Sequence, residues 1–205
     1  MLPTPTTAKH PLVYEPAEDT FLFLDALESD QSLLKEFSFP TVLEIGSGSG
    51  CVSSFLAKML GPDAIYTCCD INPHALECTR KTADLNQVEL QVIRADLVDC
   101  FHSKFDIILF NPPYVVTEME EVGSMSIEAA WAGGPRGRVV TDRLLPALPR
   151  ILKEKGVFYL VAVKENDPEE IQKWMASEYG WASTIVQRRK AGNEGLCIIR
   201  FKQSS

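Results

Sequence analysis

The residues of this chain best suited to chemistry fall in two clusters. The first is Asn111, Pro112, Pro113 and Tyr114, which close the apolar run FDIILF at 105–110. Neither proline has an N–H, so the hydrogen-bond ladder of a strand must stop there. Asn111 brings a side-chain carbonyl, and the backbone carbonyl of Pro112 has no obligatory ladder partner. Tyr114 adds an aromatic face for a planar group. Two acceptors converging on one NH₂ would fix its orientation, so the pattern points to chemistry at a planar or amine nitrogen.

The second cluster is LEIGSGSG at 43–50, with Gly46, Gly48 and Gly50 between an apolar strand and a helix pattern. Glycines in such a turn permit positive φ and close backbone approach to a ligand. Asp70 ends the next strand, where an acid can hold ribose hydroxyls. That feature would also suit a nicotinamide dinucleotide, but the dinucleotide fingerprint is G-x-G-x-x-G and this loop reads G-x-G-x-G. Asp96 ends the third strand, where it could accept from an adenine amino group while the Leu97 N–H donates to the ring. Glu44 precedes the first glycine. Carboxylates suit a cationic sulfonium or amino group better than a pyrophosphate. Glu44, Gly46, Asp70 and Asp96 together favour S-adenosylmethionine.

An alternation of strand and helix patterns must carry these residues. TVLEIG (41–46), AIYTCCD (64–70), VELQVIRAD (88–96), FDIILF (105–110) and GVFYLVAV (156–163) read as strands. Helices follow the glycine loop up to Gly61, run from Pro73 to about Asn86, and cover about 140–154 and 168–180. Asn72 and Asp167 are N-caps with proline at the first helical position. Pro146 and Pro149 should kink or split the third of these helices. WASTIVQRR and GLCIIRFK close the chain as a strand pair around the turn KAGNEG. The expected fold is α/β: a doubly wound, mostly parallel, seven-stranded sheet with an antiparallel edge pair. Ligands in such sheets bind outside the carboxyl ends of the strands, where both clusters lie.

The 205 residues suit one domain, expected over 13–205 with a flexible, proline-rich segment at 1–12. The net charge of −8 disfavours broad nucleic-acid binding. The six cysteines form no C-x-x-C pair and no metal spacing with the three histidines, and are expected to be reduced and mostly buried. The run VFYLVAV is far too short to span a bilayer, and no signal peptide is visible. The cytoplasm is the default compartment, with the nucleus second.

The segments YEPAEDT, VLEIGSGSG, CDINPHA, FNPPYVV and EAAWAGG, in this order, resemble the eukaryotic and archaeal HemK-like glutamine methyltransferases. The resemblance covers roughly residues 12–202. It implies a methyltransferase that modifies the glutamine of the Gly-Gly-Gln loop of the class I translation release factor. It further implies that Glu44 and Gly46 line the methionine end of S-adenosylmethionine, with Gly48 in the same loop and Thr20 closing over it. Asp70 would bind the ribose, and Asp96 with Leu97 the adenine. Asn111 and Pro112 would hold the substrate amide, with Pro113 stiffening the elbow and Tyr114 beside it. Bacterial relatives carry a separate helical domain ahead of the catalytic one, for which the roughly 40 residues before strand one leave no room. The short form works with a small zinc-binding activator protein. The usual strand order of this class leaves 89–95 at an edge, so Leu90 and Val92 are expected at that interface. Trp131 of EAAWAGG is expected to shape the substrate mouth, and Arg136 and Arg138 are candidate contacts to the protein partner.

Three other readings share some of these features. A protein lysine methyltransferase could use the same acceptor pair. A nucleic-acid adenine N6-methyltransferase shares Asn-Pro-Pro-Tyr, but the acidic charge and the lack of room for a base-recognition domain stand against it. An idle cofactor-binding subunit would show decay of Asn111 or of the glycine loop, and both are intact.

Overall fold

The computed structural model describes residues 2–123, 130–192 and 194–203. Its sheet has seven strands in the order β3-β2-β1-β4-β5-β7-β6. They are β1 (Thr41–Ile45), β2 (Ile65–Asp70), β3 (Gln91–Arg94), β4 (Phe105–Phe110), β5 (Leu152–Val163), β6 (Trp181–Ala191) and β7 (Glu194–Gln203). The first five pair in parallel, and β7 runs antiparallel to both β5 and β6. The helices are α1 (Glu18–Ser29), α2 (Gln31–Leu34), α3 (Cys51–Leu60), α4 (Pro73–Asn86), α5 (Val139–Leu144), α6 (Leu148–Ile151) and α7 (Pro168–Tyr179). No helix among the described residues is long and apolar enough to cross a membrane.

Side-chain alternation along the central strands splits the core into two layers. Val42, Ile107, Leu109, Tyr159 and Val161 pack with Leu22, Phe23, Phe55 and Leu56 of α1 and α3. Leu43, Ile45, Ile108, Phe110, Phe158 and Leu160 pack with α5, α6 and α7 through Leu144, Leu148, Ile171 and Met175. A strand buried on both faces is apolar, which is why β4 reads as a hydrophobic run from Ile107 to Phe110; Asp106, near its start, is paired with Thr41 and Lys153.

The helix signals translate directly. Asn72 Oδ1 accepts the His74 N–H at 2.9 Å and Pro73 opens α4, which ends at Asn86 as expected. Asp167 Oδ1 accepts the Glu170 N–H at 3.1 Å ahead of Pro168. The two prolines at 146 and 149 divide the expected 140–154 helix into α5, a 3₁₀ turn at 145–147 and α6, and β5 then starts at Leu152. The opening helix α1 begins at Glu18 and is followed directly by the short α2. All six cysteines are free, and Cys100 is the exposed one.

Residues 2–12, expected to be flexible, are strapped along α4. The N–H groups of Thr6 and Ala8 reach Asn86 Oδ1 at 3.2 Å and Thr82 Oγ1 at 3.0 Å. Asn72 Nδ2 donates to the Leu12 carbonyl at 2.8 Å. This strap brings Leu12, Val13 and Tyr14 to the wall of the cleft.

The edge position of β3 agrees with expectation, with a change of detail. Leu90 lies half-buried against the core, and the large apolar side chains exposed on and beside this edge include Ile65, Ile71, Leu85 and Ile93.

A candidate methyl-transfer cleft

β1 has β2 on one side and β4 on the other, so the chain crossovers diverge at β1 and leave a crevice above its carboxyl end. Registers decide what meets there. Ile45 pairs with Phe110, which places Gly46 next to Asn111 although the two are far apart in sequence. The crevice is a cavity of about 780 Å³, within the range of small-molecule sites. Thr20, Glu44, Gly46, Gly48, Asp70, Asp96, Leu97, Asn111, Pro112, Pro113 and Tyr114 all line it.

Gly46, Gly48 and Gly50 have φ of +67°, +50° and +76°, the left-handed region that explains the glycines. At Gly50 an added Cβ would lie 2.8 Å from Thr79 Cα, so the loop sits directly on α4. Ser47 Oγ and Thr79 Oγ1, 2.8 Å apart, fasten it there. Asp70 holds the loop from the far side: Oδ2 accepts the Gly48 N–H at 3.0 Å and Oδ1 the Asn72 N–H at 2.9 Å. Burial raises the Asp70 carboxyl, and these N–H bonds pull it back down. Leu97 has a φ of +49°, a rare conformation for a leucine, at the same rim. Asp96 Oδ2 is engaged by Arg143 of α5 at 2.8 Å, leaving Oδ1 for a ligand.

Glu44 is 4% exposed and its Oε2 accepts the Ser53 N–H at 3.1 Å. Burial pushes its carboxyl from 4.5 up to about 8, against the pull of Ser53. Between those values the folded chain keeps a proton that the unfolded chain has lost, so stability falls as pH rises through this window. Glu44→Gln cannot ionise. Its stability should therefore change less than that of the unsubstituted chain between about pH 5 and 8, by on the order of a few kcal/mol. Urea unfolding of both proteins, without ligand, measures this. Parallel pH profiles would show that Glu44 is charged throughout.

The elbow carries the feature of most consequence. Asn111 Nδ2 donates to Asp19 Oδ2 at 2.9 Å. Asp19 is 3% exposed, and its Oδ1 accepts the Thr20 N–H at 2.7 Å. The Asn111 amide is thereby oriented with Oδ1 away from its anchor, and Oδ1 is buried with no hydrogen-bond partner among the described residues. Among the described residues no donor takes the Pro112 carbonyl either. Two consecutive residues that line the cleft, Asn111 and Pro112, thus each carry an unspent acceptor. A buried acceptor without a donor costs roughly 1–3 kcal/mol, which a ligand N–H would recover.

The segment after Tyr114 pairs with the glycine-rich loop. The Val115 N–H donates to the Trp131 carbonyl at 2.9 Å, and the Gly133 N–H to the Val115 carbonyl at 2.8 Å. Trp131 lines the cleft, as expected of a residue at its mouth. Glu128 and Ala129 of EAAWAGG lie outside the described residues. Arg138 corrects its expected role as a partner contact. It is 8% exposed, and its guanidinium is spent on Asp142, Glu170 and the Asn166 carbonyl. Arg136 is half-exposed and already paired with Glu170.

Sequence reasoning missed Asp19 and Arg143. Asp19 lies inside the quoted YEPAEDT segment, but only the fold brings it to Asn111. Arg143 had no signal in its surroundings.

A doubly wound sheet with its antiparallel pair inserted at one edge, a glycine loop with acids at successive strand ends, and an acceptor elbow define a class I methyltransferase. Comparison with known proteins agrees: the family described as methyltransferase small domain matches residues 19–191, and the chain belongs to that family. The chain is 52% identical to Methyltransferase HEMK2 of Homo sapiens, over 94% of this chain and 90% of that protein. It is 40% identical to the eRF1 methyltransferase catalytic subunit mtq2 of Schizosaccharomyces pombe, over 98% of this chain and 96% of that one. Among solved structures it is similar to an E. cuniculi Mtq2–Trm112 complex described as responsible for methylation of the eRF1 translation termination factor. That likeness has a TM-score of 0.71 at 29% identity, covering 94% of this chain and 99% of the other.

Proposed function

We propose that this chain is the catalytic subunit of a heterodimer that transfers a methyl group from S-adenosylmethionine to the side-chain nitrogen of glutamine in the Gly-Gly-Gln loop of the class I release factor. The observation that carries this is the Asn111 amide at the cleft wall, oriented by Asp19 with its Oδ1 buried and, among the described residues, unpartnered. The relatives that act on eRF1 supply the substrate class.

The residues present fit the donor. Glu44 and Gly46 would face its methionine end, Asp70 its ribose, and Asp96 with Leu97 its adenine. When bound, the donor supplies an electrophilic methyl group on a cationic sulfonium. The chain itself positions the acceptor nitrogen. An amide nitrogen is a poor nucleophile because its lone pair is delocalised. Asn111 Oδ1 and the Pro112 carbonyl accept its two N–H groups and orient it. As positive charge grows on the nitrogen, both hydrogen bonds strengthen, so they favour the transition state over the ground state, and the nitrogen becomes neutral by releasing one of these protons to water. Pro113 keeps the elbow rigid, and Tyr114 walls the place where the planar amide lies. The free β3 edge, with Ile93, Ile65 and Leu85 exposed around it, is where a small zinc-binding partner would add a strand.

Labelled S-adenosylmethionine, the chain with and without this partner, and release factor carrying Gly-Gly-Gln or Gly-Gly-Asn test the reading. Methylation confined to Gly-Gly-Gln and dependent on the partner is expected. Equal labelling of both loops would sink the glutamine assignment. Full activity of a monodisperse isolated chain would sink the heterodimer.

A further inference from the structure

Asn166 has no part in the site described so far, yet it is wired to the elbow. It follows β5, the strand beside β4, and is 2% exposed. Its Nδ2 lies 2.9 Å from the Tyr114 carbonyl, 3.1 Å from that of Arg136 and 3.1 Å from that of Gly137. Its Oδ1 accepts the Val163 N–H at 2.9 Å, which fixes the amide orientation. Two hydrogens therefore serve three carbonyls, one of them in the elbow. The fit is tight on the other side too. Gly137 has a φ of +64°, and a Cβ there would lie 2.1 Å from the Tyr114 carbonyl oxygen.

The need for such an anchor follows from the prolines. Pro112 and Pro113 cannot donate, so no ladder holds the stretch between Asn111 and Tyr114. Its position is set by what grips its two ends. Asp19 grips the Asn111 side chain at one end. At the other end, Asn166 takes the Tyr114 carbonyl, just before Val115, whose N–H and carbonyl pair with Trp131 and Gly133. Were that donor missing, the Tyr114 carbonyl would lose this hydrogen bond, and the elbow would be less firmly held about Pro113. The Pro112 carbonyl would move with it.

We propose that Asn166 is a positioning residue for methyl transfer, holding the Tyr114 carbonyl so that the Pro112 carbonyl stays where the substrate N–H must meet it. This rests on the reading of Pro112 as a substrate acceptor. A small misplacement of a reacting group, on the order of 1 Å, costs about 10²-fold in rate.

The test uses Asn166→Asp, which keeps the shape, removes both donors and sets an acceptor against three carbonyls. With the full chain in complex with its activator, kcat on a Gly-Gly-Gln release factor should fall about 100-fold. The KM for release factor and the Kd for S-adenosylmethionine should stay within about threefold. Tyr159→Phe is the control, since it removes the hydrogen bond from β5 to Asp30 without touching a partner of Asn166 or the elbow. It should lower Tm and leave kcat unchanged. A wild-type kcat for Asn166→Asp, or a loss of kcat matched by an equal loss of cofactor affinity, overturns the proposal in favour of a purely structural role. If Asn166→Asp shows no cooperative melt, Asn166→Gln takes its place, and full turnover in a cooperatively melting Gln variant overturns it equally. An inactive wild-type complex would instead strike the proposed function.

Discussion

Asn111→Ala should lower kcat about 10²–10³-fold while leaving the Kd for S-adenosylmethionine within about threefold, by analogy with the loss of one preorganised hydrogen-bonding group in a dry site. The asymmetry comes from where Asn111 sits. The described contacts of its side chain are with Asp19, and its Oδ1 is unspent. Alanine would remove the acceptor for the substrate and leave the Gly48 and Asn72 bonds to Asp70 in place. Asn111→Asp sharpens the point. It retains an acceptor but replaces the donor facing Asp19 Oδ2 with a second carboxylate oxygen. Two carboxylates at hydrogen-bond distance cannot both ionise, so they would share a proton or separate. Activity should be low at neutral pH and recover in part as pH falls and the pair takes up a proton. Steady-state methylation of release factor and calorimetric titration of the cofactor measure both arms. Lost cofactor binding with retained turnover would falsify the role given to Asn111.

Asp70→Asn should have the complementary signature. The carboxylate accepts two loop N–H groups while facing the cleft, so it both shapes the glycine loop and presents lone pairs to a ribose. The amide keeps one acceptor oxygen, and its NH₂ is then set against Gly48, against Asn72 or against a ribose hydroxyl. Charge-assisted hydrogen bonds contribute about 1.5–3 kcal/mol each. The cofactor Kd should therefore rise about 30- to 100-fold, with kcat at saturating cofactor within about threefold of the starting enzyme. Calorimetry and turnover at high cofactor separate the two effects. A variant that binds normally but turns over slowly would move Asp70 from cofactor holding to catalysis.

The two expectations are independent because two strands supply them. β2 ends in Asp70 and β4 runs into Asn111, with β1 between them. Their side chains share no hydrogen-bond partner among the described contacts, so the two effects should be close to additive. Glu44 lies between them at the end of β1, and its raised carboxyl pKa describes the ligand-free cleft. A cation bound nearby would draw that proton off.

Much of this was readable in the sequence for reasons of local physics. Strand and helix patterns declare themselves through periodic burial, and β4 through apolar residues on both faces. Caps at Asn72 and Asp167 and breaks at Pro146 and Pro149 need only near neighbours, so they appeared where expected. The glycine loop, the acids at strand ends and the proline elbow are also local, and right-handed crossovers oblige them to share one end of the sheet. The sequence by itself therefore determined the fold class and brought to one cleft the glycine loop, the acids at the strand ends and the proline elbow. What the tertiary structure alone decided is how those residues are held. Asp19 reaches Asn111 across 92 residues, Asn166 reaches Tyr114 across 52, and Arg143 reaches Asp96 across 47. Arg138, which reads as a surface cation, is turned inward by Asp142 and Glu170. Such pairings leave no period and no spacing in a chain, because they depend on strand register and on which helix packs where. Register brings Ile45 level with Phe110, and from that alignment follows the meeting of glycine loop and elbow that makes two motifs one site.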